Sequence, residues 1–140
     1  MILVVDANII FSALLNPKSN VGEILMNFDD EFEFYAPELL VVELDRYSEK
    51  IEKYSKLSPK DIQIVKNEVL NTIKVISEEL ISEESWRKAW KLTQNVDEND
   101  TPFIALSIEL NAKLWTGDKK LLKEIEQQTI STKNLKSLKK

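Results

Sequence analysis

Histidine and cysteine are both missing from this chain of 140 residues. Their absence excludes a Ser-His-Asp triad, a thiolate nucleophile, a CxxC redox pair and any zinc site built on imidazole or thiolate. It also excludes disulfides, so the fold does not depend on an oxidising compartment. Glycine occurs only at Gly22 and Gly117, too few for a GxGxxG or Walker loop. No apolar run approaches the length that spans a bilayer. The opening Met1-Ile2-Leu3-Val4-Val5-Asp6 is apolar, but it has neither the basic n-region nor the small-residue cleavage site of a signal peptide. It reads as folded structure from residue 2, in a cytoplasmic protein. What remains for chemistry is carboxylates, amines, hydroxyls and amides, with 24 Asp plus Glu against 19 Lys plus Arg.

A composition of 43% hydrophobic and 31% charged residues suits one globular domain, which we place at residues 1–130. Residues 131–140 carry Lys133, Lys136, Lys139 and Lys140 and no acid, and read as a solvated basic tail. Without that tail the body holds 15 basic against 24 acidic residues. Such a body does not wrap nucleic acid on a broad basic surface, although bound cations can still draw a phosphate substrate in.

Residues 2–5 form a short continuous apolar run, the pattern of a strand buried on both faces. Residues 8–14 predict a short helix, and residues 16–20 a break. Val21, Ile24, Leu25 and Phe28 are spaced as on a helix. A second strand is expected at residues 32–36. Pro37 suits the first turn of a long helix reaching about residue 53. Ser58-Pro59-Lys60-Asp61 is a capping box opening a helix to about residue 71. Ile73, Val75 and Ile76 mark a third strand. Residues 82–93 read as a helix with Trp86 and Trp90 as a core-facing stripe. Thr101 and Pro102 serve as N-cap and first residue of a helix to 110. Residues 112–115 form a fourth strand, 119–127 a helix and 129–132 a short fifth strand. This alternation predicts an α/β fold, a three-layer α/β/α sandwich with a four- to five-stranded parallel sheet and right-handed crossovers. Ligands of such sheets bind beyond the carboxyl ends of the strands.

Three acids fall near those ends: Asp6 directly after the first strand, Asp118 after the fourth, and Asp100 at the start of the helix preceding it. Glu43 is a fourth, an acid in the apolar stretch Leu39-Leu40-Val41-Val42-Glu43-Leu44, with Arg46 and Tyr47 among its helical neighbours. Each has an ordinary structural use. Asp6 and Asp118 could cap the helices that follow, Asp100 could serve a helix dipole, and Glu43 could pair with a cation. Asp97 and Glu98 suit a solvated loop. Together the four acids carry a different implication. Like charges about 4 Å apart repel by roughly 4 kcal/mol per pair at an effective dielectric near 20. With no histidine to neutralise them, a hard divalent cation, Mg²⁺ or Mn²⁺, is the natural remedy for an all-oxygen cluster.

Taken in order, Leu3-Val4-Val5-Asp6-Ala7-Asn8-Ile9-Ile10, Glu43, Asp97-Glu98-Asn99-Asp100-Thr101-Pro102-Phe103-Ile104-Ala105-Leu106 and Trp115-Thr116-Gly117-Asp118-Lys119-Lys120-Leu121 resemble a PIN-domain protein. The resemblance spans residues 2 to about 125. The middle segment, Ala36-Pro37-Glu38-Leu39-Leu40 through Glu43-Leu44, resembles a subgroup with an APExLxxEL-like helix. The resemblance implies a metal-dependent ribonuclease, often the toxin of a VapBC-type toxin–antitoxin pair, and commonly a homodimer. Carried over, Asp6, Glu43, Asp100 and Asp118 are the metal-binding acids, and Asn8 and Thr116 support them. Thr101 departs from the pattern, standing where an acid or small residue is frequent. Asp97 keeps the earlier acid as a further supporting residue. The expected reaction is in-line attack of an activated water on a phosphate of single-stranded or loop RNA. Arg46, Lys119 and Lys120 are candidate phosphate contacts, or ordinary surface charge. Two other readings stay open: an aspartyl-phosphate phosphatase, against which Asn8 stands where a second Asp is usual, and a non-enzymatic partner or adaptor of the same fold.

Overall fold

The computed structural model describes residues 1–26 and 31–138. Strand β1 (Ile2–Val5) lies at the centre of a parallel sheet, and Leu3, Val4 and Val5 are wholly buried. Burial on both faces is why this strand is a continuous apolar run rather than an alternating one. It pairs on one side with β2 (Glu33–Pro37), Leu3 opposite Phe34, and on the other with β4 (Lys113–Trp115), Val5 opposite Trp115. β3 (Ile73–Ile76) and β5 (Thr129–Ile130) complete the order β3-β2-β1-β4-β5. The chain thus builds outward from β1 to β3, then returns across β1 to β4. Right-handed crossovers place the helices before β3 on one face and those after it on the other.

The first group contains α1 (Ala7–Leu15), α2 (Asn20–Met26), α3 (Leu39–Arg46), α4 (Ser48–Tyr54) and α5 (Pro59–Asn71); α1 touches each of the other four. The second contains α6 (Glu83–Thr93), α7 (Thr101–Glu109) and α8 (Lys119–Glu124), with α7 laid across β1, β2 and β4. Phe103, Ile104, Ala105 and Leu106 of α7 are all fully buried, and Phe34 and Trp115 meet within the core at 5.8 Å between ring centroids. The expected three-layer α/β/α architecture and its five parallel strands are therefore present.

Several local expectations are corrected. Pro37 does not open a helix. It ends β2, and the amide of Glu38 resumes pairing by donating to Ile76. The long helix that follows is two helices, broken at Tyr47, whose φ of −101° and ψ of 12° leave the helical region. Leu40, Leu44 and Ile51 keep one apolar stripe across the break, so the spacing alone conceals it. Thr101 is not the N-cap of α7 but its first residue, following Asp100. Its hydroxyl donates to the carbonyl of Glu98 and meets that of Thr93 at 2.7 Å. Trp90 does not share a core-facing stripe with Trp86. It is 46% exposed, and Ser85 and Ala89 form the buried face of α6. The segment expected as a solvated tail contains α9 (Thr132–Leu138), which buries Leu135. The Nε1 of Trp115 donates to the hydroxyl of Thr132. Phe28 and Lys139–Lys140 lie outside the described residues. Ser58 caps α5 as expected, accepting from the amide of Asp61.

Candidate active site

The strand order reverses direction between β1 and β4, and the crevice at that switch point is where a doubly wound sheet presents its ligand site. Asp6 leaves β1 there and Thr116-Gly117-Asp118 leaves β4. The amide of Asp6 still donates to the carbonyl of Trp115, so the parallel ladder delivers both segments to one place.

Asp6 occupies the N-cap position of α1 without capping it. Its Oδ2 instead accepts from the hydroxyl of Thr116 at 2.6 Å. Thr116 is fully buried and in turn accepts from Asn8 Nδ2 (3.3 Å) and from the amide of Asp118 (3.0 Å). Asn8 Oδ1 accepts from the amide of Gly117. This network ties the end of β1 to the end of β4, and it explains why an amide and a hydroxyl flank the acids. Burial pushes the Asp6 carboxyl above the ordinary carboxylate range, and the charge of Asp118 adds to that. The Thr116 hydrogen bond pulls it back, as do the nearby amides of Ala7 and Asn8, although these make no well-formed cap.

Asp118 does serve as a helix cap. Its Oδ1 accepts from the amides of Lys120 (2.9 Å) and Leu121 (3.2 Å), while Oδ2 has no hydrogen bond among the described residues. Asp100 makes no side-chain cap on α7. Burial, then repulsion by Asp6, Asp97, Asp118 and Glu43, drives its pKa up to about 8. Glu43, half-buried on α3, is also raised by burial and by Asp6 and Asp97, against a smaller opposing pull from Arg46. Asp97 uses Oδ1 to accept from the amide of Asn99. The four principal acids and Asp97 therefore share one electrostatic neighbourhood. No ion pair within 4.0 Å closes on any of them among the described residues.

A cleft of about 570 Å³ opens over this cluster. Asp6, Asn8, Glu43, Arg46, Asp97, Asp100 and Asp118 all line it. Lys119 and Lys120 are exposed but lie outside the lining; Lys120 Nζ donates to the carbonyl of Val96 just before Asp97. The sequence reading missed Phe11, Tyr47, Lys50 and Asn99, which also line the cleft. Tyr47 carried the only usable signal: it lies one helical turn beyond Glu43.

The donor set suits a hard divalent cation. It is entirely oxygen, and burial first, then mutual repulsion, raises the carboxyls of Asp6, Glu43 and Asp100, against only a partial opposing pull from Thr116 on Asp6 and Arg46 on Glu43. Among the described residues no group of three acids is drawn together as ligands around one ion. Mg²⁺ does not require that, since it is commonly held through one or two carboxylates and keeps several waters.

A parallel sheet in the order 3-2-1-4-5, with carboxylates gathered at its switch point, defines an α/β protein with an acidic cleft at the carboxyl ends of its strands. The PIN domain family model matches residues 4–137, and the chain belongs to that family, whose domains are generally nucleases. A solved structure with a similar fold is the VapBC2 complex from Rickettsia felis, bound to a DNA fragment from its promoter. It is 18% identical, has a TM-score of 0.66, and the match covers 94% of this chain and 97% of the other. No curated protein matches the sequence.

Proposed function

We propose that this protein is a divalent-metal-dependent endoribonuclease of the VapC type, the toxin of a toxin–antitoxin pair. The observation that carries this reading is the carboxylate cluster at the sheet's switch point, where Asp6, Glu43, Asp97, Asp100 and Asp118 line one cleft. Family membership supports nuclease chemistry, and the fold shared with a VapBC2 chain supports the toxin–antitoxin setting.

In this reading Asp6, Glu43, Asp100 and Asp118 hold Mg²⁺ or Mn²⁺. When bound, the ion would supply positive charge to the scissile phosphate and would increase the acidity of water, the usual contribution of a metal to phosphodiester hydrolysis. The chain's own residues do the rest. Thr116 and Asn8 fix Asp6 and the Gly117–Asp118 turn. Asp100, raised to about 8 before any cation binds, would have to give up a proton when the cation arrives, so binding there is favoured by rising pH. Arg46, which lines the cleft, would serve as a phosphate contact. Asp97 supports Asp100 from the preceding loop, and Lys119 and Lys120 sit at the edge of the same face. The remaining parts of the proposal are a homodimer, a cytoplasmic location and an antitoxin that covers the cleft.

The test is cleavage of single-stranded RNA by purified protein with Mn²⁺, with and without chelator. Cleavage is expected to stop in chelator and in Asp6→Asn. Full cleavage by Asp6→Asn protein would sink the proposal.

A further inference from the structure

The cleft has two chemically distinct walls. The strand ends supply carboxylates, whereas helices α1, α3 and α4 supply Phe11, Arg46, Tyr47 and Lys50. Metal binding has no use for the second set. Tyr47 stands at the break between α3 and α4, so its ring is placed by a bend rather than by a regular helical face. It meets Phe11 in a T-shaped contact, 5.0 Å between centroids at an interplanar angle of 76°. Phe11 is itself half-buried and packed on the core, so it is a firm brace for an aromatic ring that remains 41% exposed. The Tyr47 hydroxyl makes no hydrogen bond among the described residues, so the ring is held there by packing alone. Arg46 and Lys50 flank it in sequence, and both carry their charge to the same cleft.

A braced aromatic ring, 41% exposed, in a cleft that Arg46, Lys50 and the acids also line, matches the arrangement by which proteins hold single strands: bases stack on the ring and backbone phosphates meet the cations. Resting on the nuclease reading above, we propose that Tyr47, braced by Phe11, stacks an unpaired base of the RNA next to the cleaved phosphate, with Arg46 and Lys50 holding the adjoining phosphates. The cleft thereby selects single-stranded RNA, because a base within a duplex is already stacked and does not present its face to a side chain.

The test compares wild type, Tyr47→Ala and Tyr47→Phe in two measurements. One is steady-state cleavage of a short single-stranded RNA with Mn²⁺, and the other is binding of the fluorescein-labelled RNA by anisotropy. Tyr47→Ala should raise KM and weaken binding by roughly 5- to 150-fold, the range for loss of one stacked base, with kcat little changed. Tyr47→Phe keeps the ring and should behave as wild type. Unchanged KM and binding in Tyr47→Ala, or equal damage in both variants, overturns the stacking role while leaving the nuclease reading intact. A wild-type protein that binds the RNA but does not cleave it overturns the nuclease reading, and loss of that binding in Tyr47→Ala then still supports the stacking role. A wild-type protein that neither cleaves nor binds overturns both.

Discussion

The hydroxyl of Thr116 donates to Oδ2 of Asp6 across 2.6 Å, joining two buried residues that lie 110 positions apart. The bond holds down a carboxyl that burial pushes up, so Thr116 influences both where Asp6 points and when it is charged.

Thr116→Val keeps the shape and removes the hydroxyl. It leaves Asp6 without its side-chain donor, and it also takes the acceptor from Asn8 and from the amide of Asp118. Thermal or chemical denaturation should show a loss of about 1–3 kcal/mol. The Asp6 carboxyl, already raised, should rise further, moving the acid limb of the activity–pH profile to higher pH. Thr116→Ser should restore both. An unshifted limb in Thr116→Val would show that the bond does not tune Asp6.

Asp100 contributes to the pH dependence of the metal-free protein, beside the raised carboxyls of Asp6 and Glu43. Its folded pKa of about 8 lies above the ordinary 3.8, so between those values the folded chain binds more protons than the unfolded one. Its contribution to stability therefore falls as pH rises from about 4 to about 8 and is flat beyond, the reverse of a salt-bridged acid. Asp100→Asn stays uncharged throughout. Its melting temperature in chelator should equal wild type near the acid end and exceed it increasingly towards about pH 8. Parallel curves across that window would refute the assignment. Millimolar Mg²⁺ should close the gap by stabilising wild type alone.

Asp118 has two separable jobs. Its Oδ1 caps α8, and its charge belongs to the acid cluster. Asn caps nearly as well as Asp, whereas Ala does not. Asp118→Asn should therefore hold its melting temperature yet lose RNA cleavage. Asp118→Ala should lose cleavage and also about 1 kcal/mol of stability in a denaturant titration. Cleavage retained by Asp118→Asn would confine Asp118 to capping.

The two glycines should respond in opposite ways. A Cβ on Gly22 would collide with the carbonyl oxygen of Pro17, against backbone that cannot rotate aside. Gly22→Ala should therefore cost roughly 1–3 kcal/mol, as overpacking does. At Gly117 the nearest atom is Asn8 Oδ1 at 3.9 Å and φ is not positive. Gly117→Ala should change stability by less than about 0.5 kcal/mol. Denaturation midpoints of the two variants check both statements.

The architecture was legible wherever a local pattern had only one three-dimensional meaning. Leu3-Val4-Val5 reads as a strand buried on both faces because no amphipathic element is apolar at every position, and it is the central strand. Asp6 and Asp118 were found because parallel sheets place ligands beyond the carboxyl ends of their strands. Where a pattern had two meanings, reading it alone failed. The apolar stripe of Leu40, Leu44 and Ile51 continues across the break at Tyr47, and the Trp86–Trp90 spacing does not reveal that Ser85 and Ala89 form the buried face.

The sequence by itself determined the chemistry available to this protein. Without histidine or cysteine, and with acids at its strand ends, it has oxygen donors suited to a hard cation and no imidazole or thiolate for a softer one. The tertiary structure decided which acids feel one another. A carboxylate's pKa depends on burial and on charges brought near by folding, and neither is a local property of the chain. Only the assembled sheet places Asp6 on Thr116, loads Asp100 with the charge of four other acids, and divides Asp118 between a helix cap and the cluster. Only the bend between α3 and α4 brings Tyr47 to Phe11 at the side of that cleft.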